Sequence, residues 1–192
     1  MIWLASFPRS GNTFARNVLH DVYGLESTEV NQKVLRHSST YREYPVVKTH
    51  LRPSNIEHIP DSDVIVYLVR DGRDAIVSIA HHRSNIVAPG SDLQDNLKLA
   101  VEAQKDSYFG GWAKNAVEWM ARADLVIRFE DLITDPVKEM EKLRVLVENL
   151  PKPNTASIQT FESQKKGDPK YGPPMNKNLF FRKGKVGDWK NT

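Results

Sequence analysis

With 192 residues, 40% of them hydrophobic and 27% charged, the chain is long enough for one domain with a substantial core and too short for two of ordinary size. Its net charge of +3 points to an anionic ligand but falls short of the pervasive basicity of a nucleic-acid binder, and the cations gather late, at Lys165, Lys166, Lys170, Lys177, Arg182, Lys183, Lys185 and Lys190. The absence of cysteine removes disulfides, thiolate nucleophiles and thiolate metal sites together.

The opening run Met1-Ile2-Trp3-Leu4-Ala5-Ser6 has no basic residues ahead of it and is too short for the apolar core of a signal peptide. No apolar run approaches membrane-spanning length, so a soluble, cytoplasmic protein is expected. Residues 2–6 read as a buried strand, followed by a Ser-Gly loop and a helix over 13–23 that Gly24 terminates. Residues 46–49, 64–69 and 125–129 are further apolar, β-branched strands. Helices are expected over 72–83, 93–105, 112–122 and 136–149, the last opening on Pro136 with a stripe through Val137, Met140, Leu143, Val147 and Leu150. Residues 164–178 form a polar, Pro/Gly-containing run, expected to be a loop that orders on binding. Uniformly apolar strands alternating with helices predict an α/β fold, a parallel sheet covered on both faces.

Three segments carry phosphate-seeking chemistry. In Phe7-Pro8-Arg9-Ser10-Gly11-Asn12-Thr13 a strand ends, small residues let the backbone approach an anion, and successive amides open a helix at its positive end. An ordinary strand-to-helix turn would look similar, but the Walker A pattern fails, because no Lys-Ser or Lys-Thr pair follows the glycine. In the second segment, Leu68-Val69-Arg70-Asp71-Gly72-Arg73-Asp74 running on to Ser78, Arg70 stands just past a core strand, where open parallel sheets bind ligands. Asp71 reads as an N-cap, and Ser78 adds a hydroxyl two turns into the helix. A salt-bridged set of Arg70, Arg73, Asp71 and Asp74 explains this segment equally well. The third, Phe181-Arg182-Lys183-Gly184-Lys185-Val186-Gly187-Asp188-Trp189, brings cations and an accessible glycine amide together. Its turn glycine and tryptophan predict a tail that packs onto the domain.

In their order and spacing these segments resemble the cytosolic sulfotransferases, which use 3'-phosphoadenosine 5'-phosphosulfate, and the resemblance spans nearly the whole chain. It implies a three-layer, P-loop-like α/β fold over a single domain, 1–192. It further implies that Arg9, Ser10, Gly11, Asn12 and Thr13 hold the 5' side of the donor, and Arg70, Ser78, Arg182, Lys183 and Gly184 the 3'-phosphate. Phe14 and Phe129 would contact the adenine. Phe161 is a weaker candidate, read first as core.

The same resemblance gives meaning to Val47-Lys48-Thr49-His50-Leu51. It implies that His50 takes the proton from the acceptor and that Lys48 and Arg9 stabilise the transferring group. The chemistry suits histidine, because an imidazole that titrates near the working pH can accept a proton as the nucleophile attacks. In-line transfer of a sulfuryl group to a hydroxyl or amine of a small molecule is the implied reaction, with the 3',5'-bisphosphate as product and no metal required. His81 and His82 are read as structural or acceptor-side residues. Arg9 stands where the family usually has lysine, and it cannot donate a proton. A P-loop-type kinase and a non-catalytic nucleotide or nucleic-acid binding module are the competing readings. Acceptor-shaping loops are expected over 25–42, 84–111 and 164–180, and neither the acceptor nor the oligomeric state is readable.

Overall fold

In the computed structural model, which describes residues 1–37, 39–172, 180, 181 and 184–192, five parallel strands form one sheet. They are β1 (Ile2–Ser6), β2 (Ser27–Val30), β3 (Val46–Thr49), β4 (Val64–Val69) and β5 (Leu125–Arg128), in the spatial order β2-β3-β1-β4-β5. The apolar first strand takes the centre, with Leu4 in register with Lys48 on one side and Val66 on the other.

Because strand side chains alternate, β1 feeds two cores. Ile2 and Leu4 pack with Phe14, Val18, Val66, Leu68, Ile127 and Leu132 on one face. Trp3 and Ala5 pack with Val47, Ile65, Tyr67, Ala116 and Trp119 on the other. The first face is covered by α1 (Asn12–Tyr23), α7 (Phe129–Thr134) and α8 (Pro136–Glu141), and the second by α6 (Trp112–Met120). Next to α6 runs α3 (Gly72–His82), whose Ala75 and Ile79 pack with Phe7, Ala100 and Trp112. The result is the expected three-layer α/β arrangement with a central parallel sheet. Adjacent strands β1 and β4 are followed by helices on opposite faces, which opens a crevice above their carboxyl ends.

Helix α1 ends as its glycine predicts: Gly24 is left-handed at φ 67°, and the Gly24 and Leu25 amides bond back to the His20 and Leu19 carbonyls. Other boundaries differ from expectation. Strand β2 lies inside the loop expected over 25–42: Ser27-Thr28-Glu29-Val30 is short and half polar, and its pairing with β3 makes it a strand. The third apolar strand stops at Arg128, and Phe129 opens a helix. The helix expected over 93–105 is α4 (Leu93–Glu102), ended by left-handed Ala103. The helix expected over 112–122 is α6, ending at Met120. That expected over 136–149 tightens after Glu141 into a 3₁₀ turn, Lys142–Val145, where Arg144 pairs with Glu141 and caps the Leu150 and Pro151 carbonyls.

The polar run expected as loop over 164–178 begins inside α9 (Phe161–Lys166), α1 holds it at Gln164 and Tyr171, and residues 173–178 lie outside the described residues. The Asn17 side chain donates to Gln164 Oε1 and to the Tyr171 carbonyl, and accepts from the Tyr171 amide at 2.8 Å. Between α4 and α6 lie the one-turn α5 (Ser107–Gly110) and several left-handed residues, Tyr108 and Phe109 among them. The remaining helix, α2 (Gln32–His37), follows β2. Among the described residues no helix is long and apolar enough to cross a membrane.

Candidate active site

One cavity of about 760 Å³ lies in the crevice above β1, β3 and β4. Its lining includes residues from all three basic segments and from the Lys48-Thr49-His50 set. The loop after β1 is bent sharply, with Arg9 left-handed at φ 68° and Gly11 at φ 91°. A side chain at Gly11 would place its Cβ 2.5 Å from the Phe129 ring, so glycine is required both by backbone conformation and by space. Ser10 is fully buried, and its Oγ has no hydrogen-bond partner among the described residues. A buried hydroxyl in a loop of amides at a helix N-terminus fits an anion oxygen. Asn12 is placed differently from its neighbours: its side-chain NH₂ donates back to the Leu4 carbonyl and Ser6 Oγ, bracing the loop against β1. Thr13 lines the cavity at the first turn of α1.

Arg70 leaves the end of β4 and is almost wholly buried. It donates to the Arg9 carbonyl at 3.0 Å and the Lys185 carbonyl at 3.2 Å, and lies 4.4 Å above the Phe129 ring. The four-residue salt-bridge alternative does not form: Asp71 caps α3 through the Arg73 amide and holds the Arg73 guanidinium. Asp74 is turned instead to the tail, accepting from the Gly187 amide at 2.7 Å and the Trp189 amide at 2.9 Å. Arg73 stacks on Trp189 at 4.2 Å. The chain's end therefore packs on α3, and Asp188 is buried there. Gly184 reaches the cavity against Phe161, where any side chain would collide with that ring. Arg182 and Lys183 lie outside the described residues.

Arg9 links these parts. Its Nε donates to Ser78 Oγ at 3.2 Å, its Nη2 donates to the Phe180 carbonyl, and its guanidinium covers the Phe180 ring. An aromatic group closes the same end: Phe161 meets Phe14 at 5.9 Å, Phe129 at 6.3 Å and Phe181 at 5.6 Å. Phe161, read first as core, both packs and lines the cavity.

Across the cavity, His50 follows β3. Its Nδ1 lies 2.8 Å from the Ser6 carbonyl, and a carbonyl only accepts, so Nδ1 carries the proton. Nε2 is left as the basic nitrogen. Burial, then the nearby Lys48 charge, holds the imidazole well below its ordinary value; the Ser6 carbonyl opposes that shift, and Arg9 and Arg16 add smaller depressions. The ring is thus held in its neutral form at pH 7, rather than titrating near the working pH. Lys48 is 7% exposed, and its ammonium is held at 2.5 Å by Glu29, its register partner on β2. Burial lowers the Lys48 value, and Glu29 opposes that shift.

Several cavity residues had no signal in the sequence: Glu29, Arg16, Arg83, Tyr108, Phe109 and Phe180. Arg16 is held by Ser27, with Nε 2.7 Å from its Oγ, and stacks on Tyr171 at 4.0 Å. Phe109 meets the His50 ring edge to face at 5.7 Å. Among the described residues no three histidine, aspartate or glutamate side chains form a group that could hold a metal ion.

A sequence model of the sulfotransferase domain matches residues 13–192. The chain belongs to the sulfotransferase family. It is 26% identical over 246 aligned positions to flavonol 3-sulfotransferase of Flaveria bidentis, covering 99% of this chain and 75% of that protein. It is 26% identical over 230 positions to human sulfotransferase 1E1, covering 98% and 76%. Among solved structures, mouse sulfotransferase SULT7A1 complexed with PAP superposes with a TM-score of 0.76 at 24% identity, over 99% of this chain and 77% of that one. Retinol dehydratase in complex with androsterone and inactive cofactor PAP superposes at 0.66 and 20% identity, over 99% and 75%. These likenesses carry the sulfotransferase fold, and family membership favours sulfuryl transfer over the kinase and binding-module readings.

Proposed function

We propose that this sulfotransferase moves a sulfuryl group from 3'-phosphoadenosine 5'-phosphosulfate to a hydroxyl or amine of a small molecule, by in-line displacement with His50 as base. The observation that carries the reading is the tautomer of His50. The Ser6 carbonyl fixes the proton on Nδ1, so a neutral Nε2 is available at a cavity whose other wall is the anion-binding loop. The neighbouring solved sulfotransferases contain PAP, which supports the choice of donor.

The donor supplies the activated sulfuryl group. Ser10, Gly11 and the amides at the start of α1 would hold its 5' side, with the side chain of Asn12 bracing the loop. Arg70, Ser78 and Gly184 would hold the 3'-phosphate, joined in this reading by Arg182 and Lys183. Phe14, Phe129 and Phe161 offer ring faces to the base. Nε2 of His50 accepts the acceptor's proton as the nucleophile forms its bond to sulfur. Lys48 and Arg9 stabilise the charge that develops during transfer; an ammonium carries three donors, so Lys48 can keep Glu29 while it serves that charge. Loose transfer of this kind asks the protein mainly for alignment and charge stabilisation.

The test is His50→Ala. Turnover should fall by about two to four orders of magnitude, the usual share of a general base. Calorimetric affinity for the 3',5'-bisphosphate should stay within about twofold, because His50 is not among the residues assigned to the donor. Retained turnover removes the base assignment, and absence of bisphosphate binding by the unsubstituted protein removes the donor.

A further inference from the structure

The acceptor end of the cavity holds polar groups that neither the donor site nor the proton transfer uses. Helix α3 runs into a π-helical turn, Arg83–Val87, closed by the Ala88 amide on the Arg83 carbonyl at 2.7 Å. Such turns are uncommon and concentrate at functional sites. Arg83 and Val87 both line the cavity. The Arg83 Nε is shielded from solvent, and among the described residues it has no hydrogen-bond partner. No ion pair ties the guanidinium to a described acid. The Tyr108 hydroxyl, also lining the cavity, is likewise buried without a partner among the described residues.

Tyr108 packs against the cluster that contains Ile79 of α3, and its neighbour Phe109 faces His50. Tyr108 and Phe109 are held with left-handed backbones at φ 47° and 57°, an arrangement that costs energy and recurs where a side chain must be aimed. Among the described residues the acids lining the cavity are Glu29 and Asp188, against Arg9, Arg16, Lys48, Arg70, Arg83 and Lys185. Glu29 is occupied by Lys48, and Asp188 sits in the tail that docks on α3. His82, beside Arg83, is pulled down to about 4 by burial and then by Arg9, so it adds no charge at neutral pH.

We propose that the acceptor carries an oxyanion, and that Arg83 binds it with help from the Tyr108 hydroxyl while the hydroxyl or amine to be sulfated lies at His50. This rests on the sulfotransferase reading above. Arginine suits the role because its planar fork pairs with both oxygens of a carboxylate, sulfate or phosphate, and the phenol adds a third donor. Val87, Phe109 and Phe180 leave an apolar, partly aromatic passage for the body of the acceptor.

The experiment is calorimetry on bisphosphate-loaded protein with para-hydroxyphenylacetate, para-hydroxyphenylpropionate and omega-hydroxyhexanoate, each compared with its methyl ester. At least one acid should bind about tenfold or more tightly than its ester, the range expected for a hydrogen-bonded charge. Arg83→Met should remove that advantage, with a far smaller change for the ester. Arg83→Lys should restore part of it, and Tyr108→Phe should remove a smaller part. Bisphosphate affinity should be the same in all four proteins. Equal binding of acids and esters, binding of neither, or an advantage that survives Arg83→Met overturns the proposal. Weaker bisphosphate binding by Arg83→Met also overturns it, since Arg83 would then serve the donor. If the unsubstituted protein binds no bisphosphate, the donor reading fails first and this inference goes with it.

Discussion

His50 and His82 share an electrostatic situation with a consequence for stability. Burial is the first cause of depression in both, joined by Lys48 at His50 and by Arg9 at His82. Below about pH 6.5 the unfolded chain binds protons that these two folded imidazoles refuse, so the unfolded state gains. Stability should be highest at and above neutrality and fall as the pH drops from about 6.5, with the His82 contribution complete near 4. Urea midpoints should therefore be lower at about pH 5 than at about pH 7, and His82→Gln should narrow the gap. A gap unchanged by the substitution would show that other groups set the acid response. For catalysis the same shift has the opposite use, because His50 stays unprotonated through the range in which an ordinary histidine would take up its proton.

Helix α3 joins three functions along one face. Asp71 caps its start, Ser78 meets Arg9, and Asp74, between them, holds two amides of the tail. Asp74 is only 1% exposed, so its carboxylate depends on those amides for solvation. Asp74→Ala should cost about 1.5–3 kcal/mol, the usual range for hydrogen bonds to a charged group, read as a shift in chemical denaturation. It should also speed tryptic cleavage after Lys185 and Lys190 and weaken bisphosphate binding through Gly184. Asp74→Asn, which keeps shape and one acceptor oxygen, should fall between. The tail's docking was visible in the sequence from Gly187 and Trp189, whereas its partner was not, since Asp74 looked like a member of a local arginine cluster. Strand β2 escaped for a related reason: four half-polar residues become a strand through pairing with β3, and only then does Glu29 reach Lys48.

On the scale of the whole molecule, the cavity joins the loop after β1, the end of β4, the last helix and the tail. A ligand binding all of them stabilises the folded state by mass action, about 2.7 kcal/mol at a hundredfold excess over Kd. The bisphosphate should therefore raise Tm in a concentration-dependent way and protect the segment that follows α9 from proteolysis. A raised Tm without protection would place the ligand on the loop after β1 alone. What the sequence determined by itself was whatever rests on near neighbours: apolar runs that make buried strands, glycines that end or open helices, and basic loops that offer amides to an anion. The order of the strands, with β1 at the centre and β2 at an edge, came from the structure alone, because it depends on pairing between distant segments. Only the tertiary structure decided the state of each functional group. The proton of His50 is placed by a carbonyl 44 residues away, Lys48 is held by a carboxylate 19 residues away, and Asp74 meets an amide 113 residues away. Side-chain chemistry travels with the residue, but desolvation and partnership arise where distant segments meet.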